Sequence, residues 1–140
     1  MNPVKNIVVL GASGSIGRNA LAVIDNLNKT TDYRFNIKAL ASNSNWQITL
    51  QQIKQFKPPV VIMSDYSAYT LLKESLPSHY RTRILYGNNE IEKAVCAPDV
   101  DIVISAISGA EGLYPTLSAL QSRKTVALAN KESKVMAGEI

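Results

Sequence analysis

Apolar and polar positions follow two alternating periods along the chain. Short apolar runs recur at Asn6–Leu10, Phe35–Ala41, Val60–Met63, Arg83–Tyr86, Asp101–Ser105 and Thr125–Ala129. Runs of this length, rich in β-branched residues, predict strands. Ile7–Leu10, Val60–Met63 and Ile102–Ile104 are apolar throughout, as strands of a parallel sheet covered on both faces should be. The segments between them carry apolar residues three and four apart, which predicts helices over about Ser15–Leu27, Trp46–Phe56, Ser67–Leu76, Glu90–Cys96 and Leu113–Gln121. In the first helix the expected buried stripe is Ile16, Ala20, Val23, Ile24 and Leu27. In the second the apolar set is Trp46, Ile48, Leu50, Ile53 and Phe56.

The punctuation agrees with the periods. Ser42-Asn43-Ser44-Asn45 is a turn cluster that offers helix caps, and Asn89 is a candidate cap for the fourth helix. Pro58-Pro59, Pro77 and Pro98-Asp99 break the chain, while Pro115 suits a first helical turn, where no N–H is needed. The connector around Leu76–Arg83 reads as a loop or a short extra helix. Strands alternating with helices over short connections define a doubly wound α/β domain with helices on both faces of a parallel sheet. By analogy with dinucleotide folds, the expected strand order is 3-2-1-4-5-6, with a ligand at the switch point beside the first strand.

Composition narrows the function classes. The 140 residues, 46% hydrophobic, suffice for one core of ordinary size. The 15 basic and 11 acidic residues give a net charge of +4, but the basic residues are scattered, which is the pattern of a solvated surface and not of a nucleic-acid footprint. A single cysteine, Cys96, excludes an intrachain disulfide framework and reads as a small buried hydrophobe. His79 lies in a polar connector and reads as a surface residue. No Cys/His/Asp group has metal-ligand spacing. No apolar stretch approaches the roughly 18 residues of a membrane span, and the start Met1-Asn2-Pro3-Val4 lacks the signature of a secretory signal. A cytoplasmic location is the default expectation, without membrane or nucleic-acid partners.

The candidate chemistry begins at Gly11-Ala12-Ser13-Gly14-Ser15-Ile16-Gly17, between the first strand and the first helix. Gly11 permits a sharp turn out of the strand. Gly14 lets the backbone approach a pyrophosphate, and Gly17 lets the helix lie close to the sheet. Ser13 and Ser15 add hydroxyls, and the helix start points its free N–H groups at an anion. No Gly-Lys-Ser/Thr follows, which argues against a nucleotide-hydrolysing loop. At the end of the second strand, Ala41-Ser42-Asn43-Ser44-Asn45 carries no carboxylate that would hold a ribose 2′-hydroxyl and repel a 2′-phosphate, so NADP is favoured over NAD. Lys38 and Arg18 are the basic residues that could add charge there. Ser108-Gly109 follows the fifth strand. Asn130-Lys131-Glu132 follows the sixth, on the edge where open sheets bind ligands; a capping role for Asn130 is the structural alternative.

Gly11–Gly17, Ala39–Asn45, Ile104–Leu113, Leu128–Ser133 and Met136–Gly138 together resemble the 1-deoxy-D-xylulose 5-phosphate reductoisomerase family over essentially the whole chain. The resemblance implies a Rossmann-type NADPH-binding domain spanning 1–140, and a parent enzyme that isomerises and reduces 1-deoxy-D-xylulose 5-phosphate to 2-C-methyl-D-erythritol 4-phosphate in non-mevalonate isoprenoid synthesis. It implies Ser13, Gly14, Ser15 and Ile16 at the cofactor pyrophosphate, and Asn43, Ser44 and Asn45 at the adenosine 2′-phosphate. It places Asn130 and Glu132 on the cofactor and Lys131 on the phosphorylated sugar substrate. It also implies a homodimer that uses Mg²⁺, Mn²⁺ or Co²⁺, whose ligands would lie in further domains, so that this chain alone is expected to be inactive and to hold neither catalytic nor metal-binding residues. Two positions depart from the family pattern: Asn43 where Gly is frequent, and Ala12 where Ser or Thr is frequent. The competing readings are a semialdehyde or homoserine-type dehydrogenase domain, which would need a suitably placed cysteine or lysine, and a dinucleotide-sensing module without catalysis.

Overall fold

In the computed structural model, residues 4–107 and 121–128 are described, together with Pro115 and Ala119. Strands β1 (Val4–Leu10), β2 (Arg34–Ser42), β3 (Val60–Met63), β4 (Arg83–Tyr86), β5 (Ile102–Ser105) and β6 (Thr125–Leu128) alternate with helices α1 (Ser15–Thr30), α2 (Trp46–Phe56), α3 (Tyr66–Ser75) and α4 (Asn88–Cys96). All strand pairs are parallel, in the order β4-β3-β2-β1-β5-β6. The expected helix over 113–121 falls mostly outside the described residues, as do Ser108, Gly109, Asn130, Lys131 and Glu132.

The handedness of crossovers explains why the two faces are covered differently. From β1 to β4 each step moves one strand outward, and a right-handed crossover then always lands its helix on the same face. Accordingly Leu21 and Ile24 of α1, Ile53 of α2, and Ala68 and Leu72 of α3 share one buried cluster with Ile7, Val9, Leu40, Val61 and Met63. The chain then returns past β3, β2 and β1 to reach β5. Reversing the direction puts α4 on the opposite face, where Ile91 and Val95 join Val8, Leu10, Ala41, Ile62 and Val103.

This order corrects the expected 3-2-1-4-5-6. The fourth strand in sequence is not beside β1; it extends the sheet beyond β3, and β5 takes the place next to β1. The physical reason is visible in the residues. Arg83 and Tyr86 flank only two apolar positions, Ile84 and Leu85, and both flanks are exposed, as suits an edge strand. Ile102–Ile104 can instead be covered on both sides. The connector over 76–82 is a loop with a turn and contains no helix.

Two patterns shift within elements. The α1 residues buried on the sheet are Gly17, Leu21 and Ile24, while Ile16 and Val23 are exposed, so the helix is rotated from the face that its apolar content predicted. In β2 the register slips between Ile7↔Ile37 and Val8↔Ala39, leaving Lys38 as the extra residue of a bulge. The alternation changes phase there. Phe35 and Ile37 face the first cluster, as does Leu40, whereas Ala39 and Ala41 face the second. Lys38 turns outward and pairs with Asp99 at 2.9 Å. The hydrogen bond from that ammonium holds the Asp99 carboxyl below its ordinary range. Cys96, expected to be buried, is exposed on the last turn of α4, because Ile91 and Val95 occupy the inward face.

A side-chain clamp sets where β2 begins. Asn28 Nδ2 donates to the Phe35 carbonyl at 2.9 Å, and the Phe35 N–H donates to Asn28 Oδ1 at 2.8 Å. Both bonds are part-buried. Replacing Asn28 by Ala is expected to cost about 1–3 kcal/mol, because two backbone groups lose their partner at once. Urea unfolding checks this; an unchanged midpoint would show that water replaces the clamp without loss.

Candidate functional site: the cleft at the carboxyl edge

The switch in strand order leaves a gap between the loops that follow β1 and β5. A cleft of about 420 Å³ opens there, at the carboxyl edge of the sheet. Its floor is the turn after β1. Gly11 adopts φ +74°, and a Cβ there would lie 2.8 Å from the Ala106 carbonyl oxygen, so both conformation and space require glycine. The N–H groups of Gly11 and Ala12 both donate to the Ala41 carbonyl, at 2.9 and 3.0 Å, which ties the turn to the end of β2. The Ala106 N–H donates to the Leu10 carbonyl at 2.8 Å and ties it to β5. A Cβ on Gly17 would lie 2.1 Å from the Gly11 carbonyl oxygen and 2.8 Å from the Ala12 Cα, so α1 approaches the turn as closely as backbone permits. At Gly14 an added Cβ would meet only the Gly11 oxygen, at 3.7 Å. The surface beside Gly14 is therefore open to a ligand.

Helix capping separates this site from the rest of the fold. Asn45 Oδ1 accepts from the Ile48 N–H at the start of α2, and Asp65 accepts from the Ala68 N–H at the start of α3. The starts of α1 and α4, behind Gly14 and Gly87, have no side-chain cap. Gly14 and Asn88 both line the cleft. The first-turn amides of α1, on Ser15, Ile16 and Gly17, lie outside the helical ladder and carry the positive end of the helix dipole. An anion is the natural partner for such a terminus.

The residues expected from sequence distribute as follows. Ser13, Gly14 and Asn43 line the cleft. Ser15 and Ile16 are the first two residues of α1. The Ser44 carbonyl accepts from the Trp46 N–H, and the Asn45 side chain is engaged in capping α2; neither lines the cleft. Lys38 is held by Asp99 and lines a separate groove with Val8 and Val100. Arg18 sits at the rim of the turn, its Nε 3.4 Å from the Gly14 carbonyl oxygen. The candidate cap Asn89 is displaced: Gly87, at φ +106°, is the N-cap and α4 begins at Asn88. Neither Cys96 nor His79 lies on the cleft wall. Among the described residues, no three His, Cys, Asp or Glu side chains come together that could hold a metal ion.

Three contributions were not anticipated: Ser64, the start of α4 and Gln52. Ser64 and the α4 residues Asn88, Ile91 and Glu92 form part of the wall. Ser42, part of the turn cluster expected after β2, also lines the cleft, and among the described residues its buried hydroxyl has no hydrogen-bond partner. Gln52, buried on α2, donates from Nε2 to the Ala12 carbonyl at 2.7 Å, across forty positions of sequence. This bond joins α2 to the turn. Its signal was present in the sequence as a polar residue inside the apolar face of α2, one position before Ile53.

The fold and the site define a doubly wound dinucleotide-binding type of domain. The family model for 1-deoxy-D-xylulose 5-phosphate reductoisomerase matches residues 7–138, and the chain belongs to that family. The reductoisomerase of Pelotomaculum thermopropionicum is 40% identical over 136 residues, covering 97% of this chain and 34% of its own length. The Zymomonas mobilis enzyme, solved in complex with NADPH, superposes with a TM-score of 0.81 at 36% identity, covering 97% of this chain and 34% of that one. A further reductoisomerase structure, in complex with NADPH, fosmidomycin and magnesium, gives a TM-score of 0.80 at 36% identity, covering 96% and 32%. The chain thus spans about a third of the length of the relatives it matches.

Replacing Gln52 by Leu keeps the bulk of the side chain but leaves the Ala12 carbonyl without its donor. The expected loss is about 1–3 kcal/mol of stability, read from urea unfolding. A neutral substitution would mean that the Ala12 turn holds its shape without α2.

Proposed function

We propose that this chain is the NADPH-binding part of a 1-deoxy-D-xylulose 5-phosphate reductoisomerase, the enzyme that isomerises and reduces 1-deoxy-D-xylulose 5-phosphate to 2-C-methyl-D-erythritol 4-phosphate in non-mevalonate isoprenoid synthesis. The observation that carries the reading is the open start of α1. A glycine-built turn presents uncapped amides at the switch point, in a fold shared with a reductoisomerase solved with NADPH. The residues present fit that group. The surface beside Gly14 is free of side chains, the amides of Ser15 and Ile16 suit a pyrophosphate, and the hydroxyl of Ser13 adds a donor. Asn43 is exposed at the cleft beyond β2, where no carboxylate on that turn opposes a 2′-phosphate. With Ser44 and Asn45 it is the proposed 2′-phosphate end.

NADPH supplies the reducing equivalent when bound; the chain's own residues orient it. The turn fixes the diphosphate, the end of β2 fixes the adenosine ribose, and the Ala106–Ile107 side of the cleft is left for the nicotinamide half. Asn130 and Glu132 are proposed to contact the cofactor and Lys131 the phosphorylated sugar, on the strength of the family match, which extends over them. The described residues offer no metal-ligand group, and the Mg²⁺, Mn²⁺ or Co²⁺ of the enzyme would be held by its remainder. On this reading residues 1–140 are one domain of a longer homodimeric, cytoplasmic enzyme. They bind the cofactor but do not turn over substrate alone. Among the described residues, no helix is long and apolar enough to cross a membrane.

Titration with NADPH and NADH, followed by nicotinamide fluorescence, tests the proposal. NADPH is expected to bind roughly tenfold or more tightly than NADH, about 1.4 kcal/mol of preference. Equal affinities would remove the role given to Asn43–Asn45, and binding of neither would remove the dinucleotide reading.

A further inference from the structure

β4 ends the sheet, and among the described residues one of its edges carries no neighbouring strand. No β4 residue lines the cleft. The N–H groups of Arg83 and Gly87 donate inward, to the Pro59 and Met63 carbonyls at 2.9 and 3.0 Å. Backbone groups alternate in direction along a strand, so the N–H and C=O of Ile84 and Tyr86 point away from β3. These outward groups are a template for a further strand.

Shortness and a charged end, here Arg83, normally keep such an edge single. The side chains beside this edge have the opposite character. Tyr86 is 46% exposed and Tyr66, at the start of α3, is 59% exposed. With Tyr69 they pack ring against ring, at centroid distances of 5.2 to 5.7 Å. An exposed aromatic patch thus lies on the α3 face directly beside the open edge. Tyrosines in such a group present large apolar faces with polar tips, as protein interfaces do.

The edge is complementary to a second copy of itself. A two-fold axis perpendicular to the sheet at Leu85 pairs the strands antiparallel and keeps the α3 faces on one side. Ile84 then lies opposite Tyr86 of the second copy, and Tyr86 opposite its Ile84. Each of these pairs exchanges both backbone bonds, and each is an aromatic–β-branched pair, a favourable cross-strand combination. No other antiparallel register uses all the outward groups within β4. The same arrangement brings Arg83 to the carboxyl end of the other β4, where the first turn of α4 carries Glu90.

We propose that the open edge of β4, with the Tyr66–Tyr69–Tyr86 patch, is an interface between two copies of this chain, joined antiparallel about Leu85 into one continuous sheet. This interface is independent of the cofactor reading, because it uses no residue of the cleft.

The register is tested by comparing Leu85→Cys with Ile84→Cys in the complete protein, each combined with Cys96→Ser. Leu85 faces its own copy in a non-hydrogen-bonded pair, with Cα atoms about 4.5 Å apart, within disulfide range. The two copies of Ile84 are diagonal neighbours at about 7–8 Å, beyond that range. Under mild oxidation Leu85→Cys is expected to cross-link roughly tenfold or more faster than Ile84→Cys. Sedimentation equilibrium gives a second readout. The mass of the unsubstituted protein is expected to rise with concentration. Ile84→Pro removes an outward N–H but no bond to β3, and is expected to halve the mass reached at saturation. Tyr86→Lys, at an exposed position, is expected to do the same and serves if proline disturbs β4; circular dichroism verifies the fold of both. Equal cross-linking in the two cysteine variants, or a mass that neither substitution lowers, would overturn the proposal and leave the edge to a strand of another protein.

Discussion

The contact between α1 and the turn after β1 is the constraint on which the cleft depends. Gly17 rests against the Gly11 carbonyl and the Ala12 backbone, at distances that no side chain could enter. That contact rotates α1 so that Gly17, Leu21 and Ile24 face the sheet. It also leaves the first-turn amides behind Gly14 without a cap, and brings Ala12 to the place where Gln52 reaches it. The turn is held from three directions: by the Ala41 carbonyl of β2, by α2 through Gln52, and by the close fit of Gly11 against Ala106 beside β5. A ligand meeting such a turn finds donors already in position, which reduces the ordering cost of binding.

Topology determines where the turn is displayed. Three successive crossovers lead outward to β4 and cover one face, and the return to β5 covers the other. The gap between outgoing and returning halves lies directly above β1. The same return brings α4 under the outer strands with its start at the carboxyl edge, so residues some fifty positions beyond Ser42 complete the wall. One reversal of direction therefore creates both the floor and the far side of the site.

Much of this was legible in the residues, and the exceptions have identifiable causes. The bounds of α2, β3 and β4 agree with the pattern, because Asn45 caps α2, Pro58-Pro59 stops it, β3 is a continuous apolar run, and Arg83 and Tyr86 bracket the apolar pair of β4. The Gly11–Gly17 turn was legible because Gly11 and Gly17 each answer a backbone requirement, while Gly14 leaves the surface open. The face of α1 was misjudged because apolar content favours Ile16 and Val23, whereas close approach is decided by the one residue without a side chain. The bulge at Lys38 was hidden because it inverts the alternation midway through β2 while both halves remain apolar. The place of β4 followed from its exposed flanks, Arg83 and Tyr86, and not from its rank in the chain. The α4 wall was illegible because nothing local to Asn88 or Glu92 announces a cleft assembled from β1, β2, β3 and β5.

The central claim is that the open start of α1 anchors the cofactor. Its most direct test is an amide-resolved NMR titration of the ¹⁵N-labelled protein with NADPH. The account predicts that the amides of Ser13–Gly17 and of Asn43 move most and that those around Lys38 and Asp99 stay in place. Saturable binding that leaves the Ser13–Gly17 amides unmoved would contradict it.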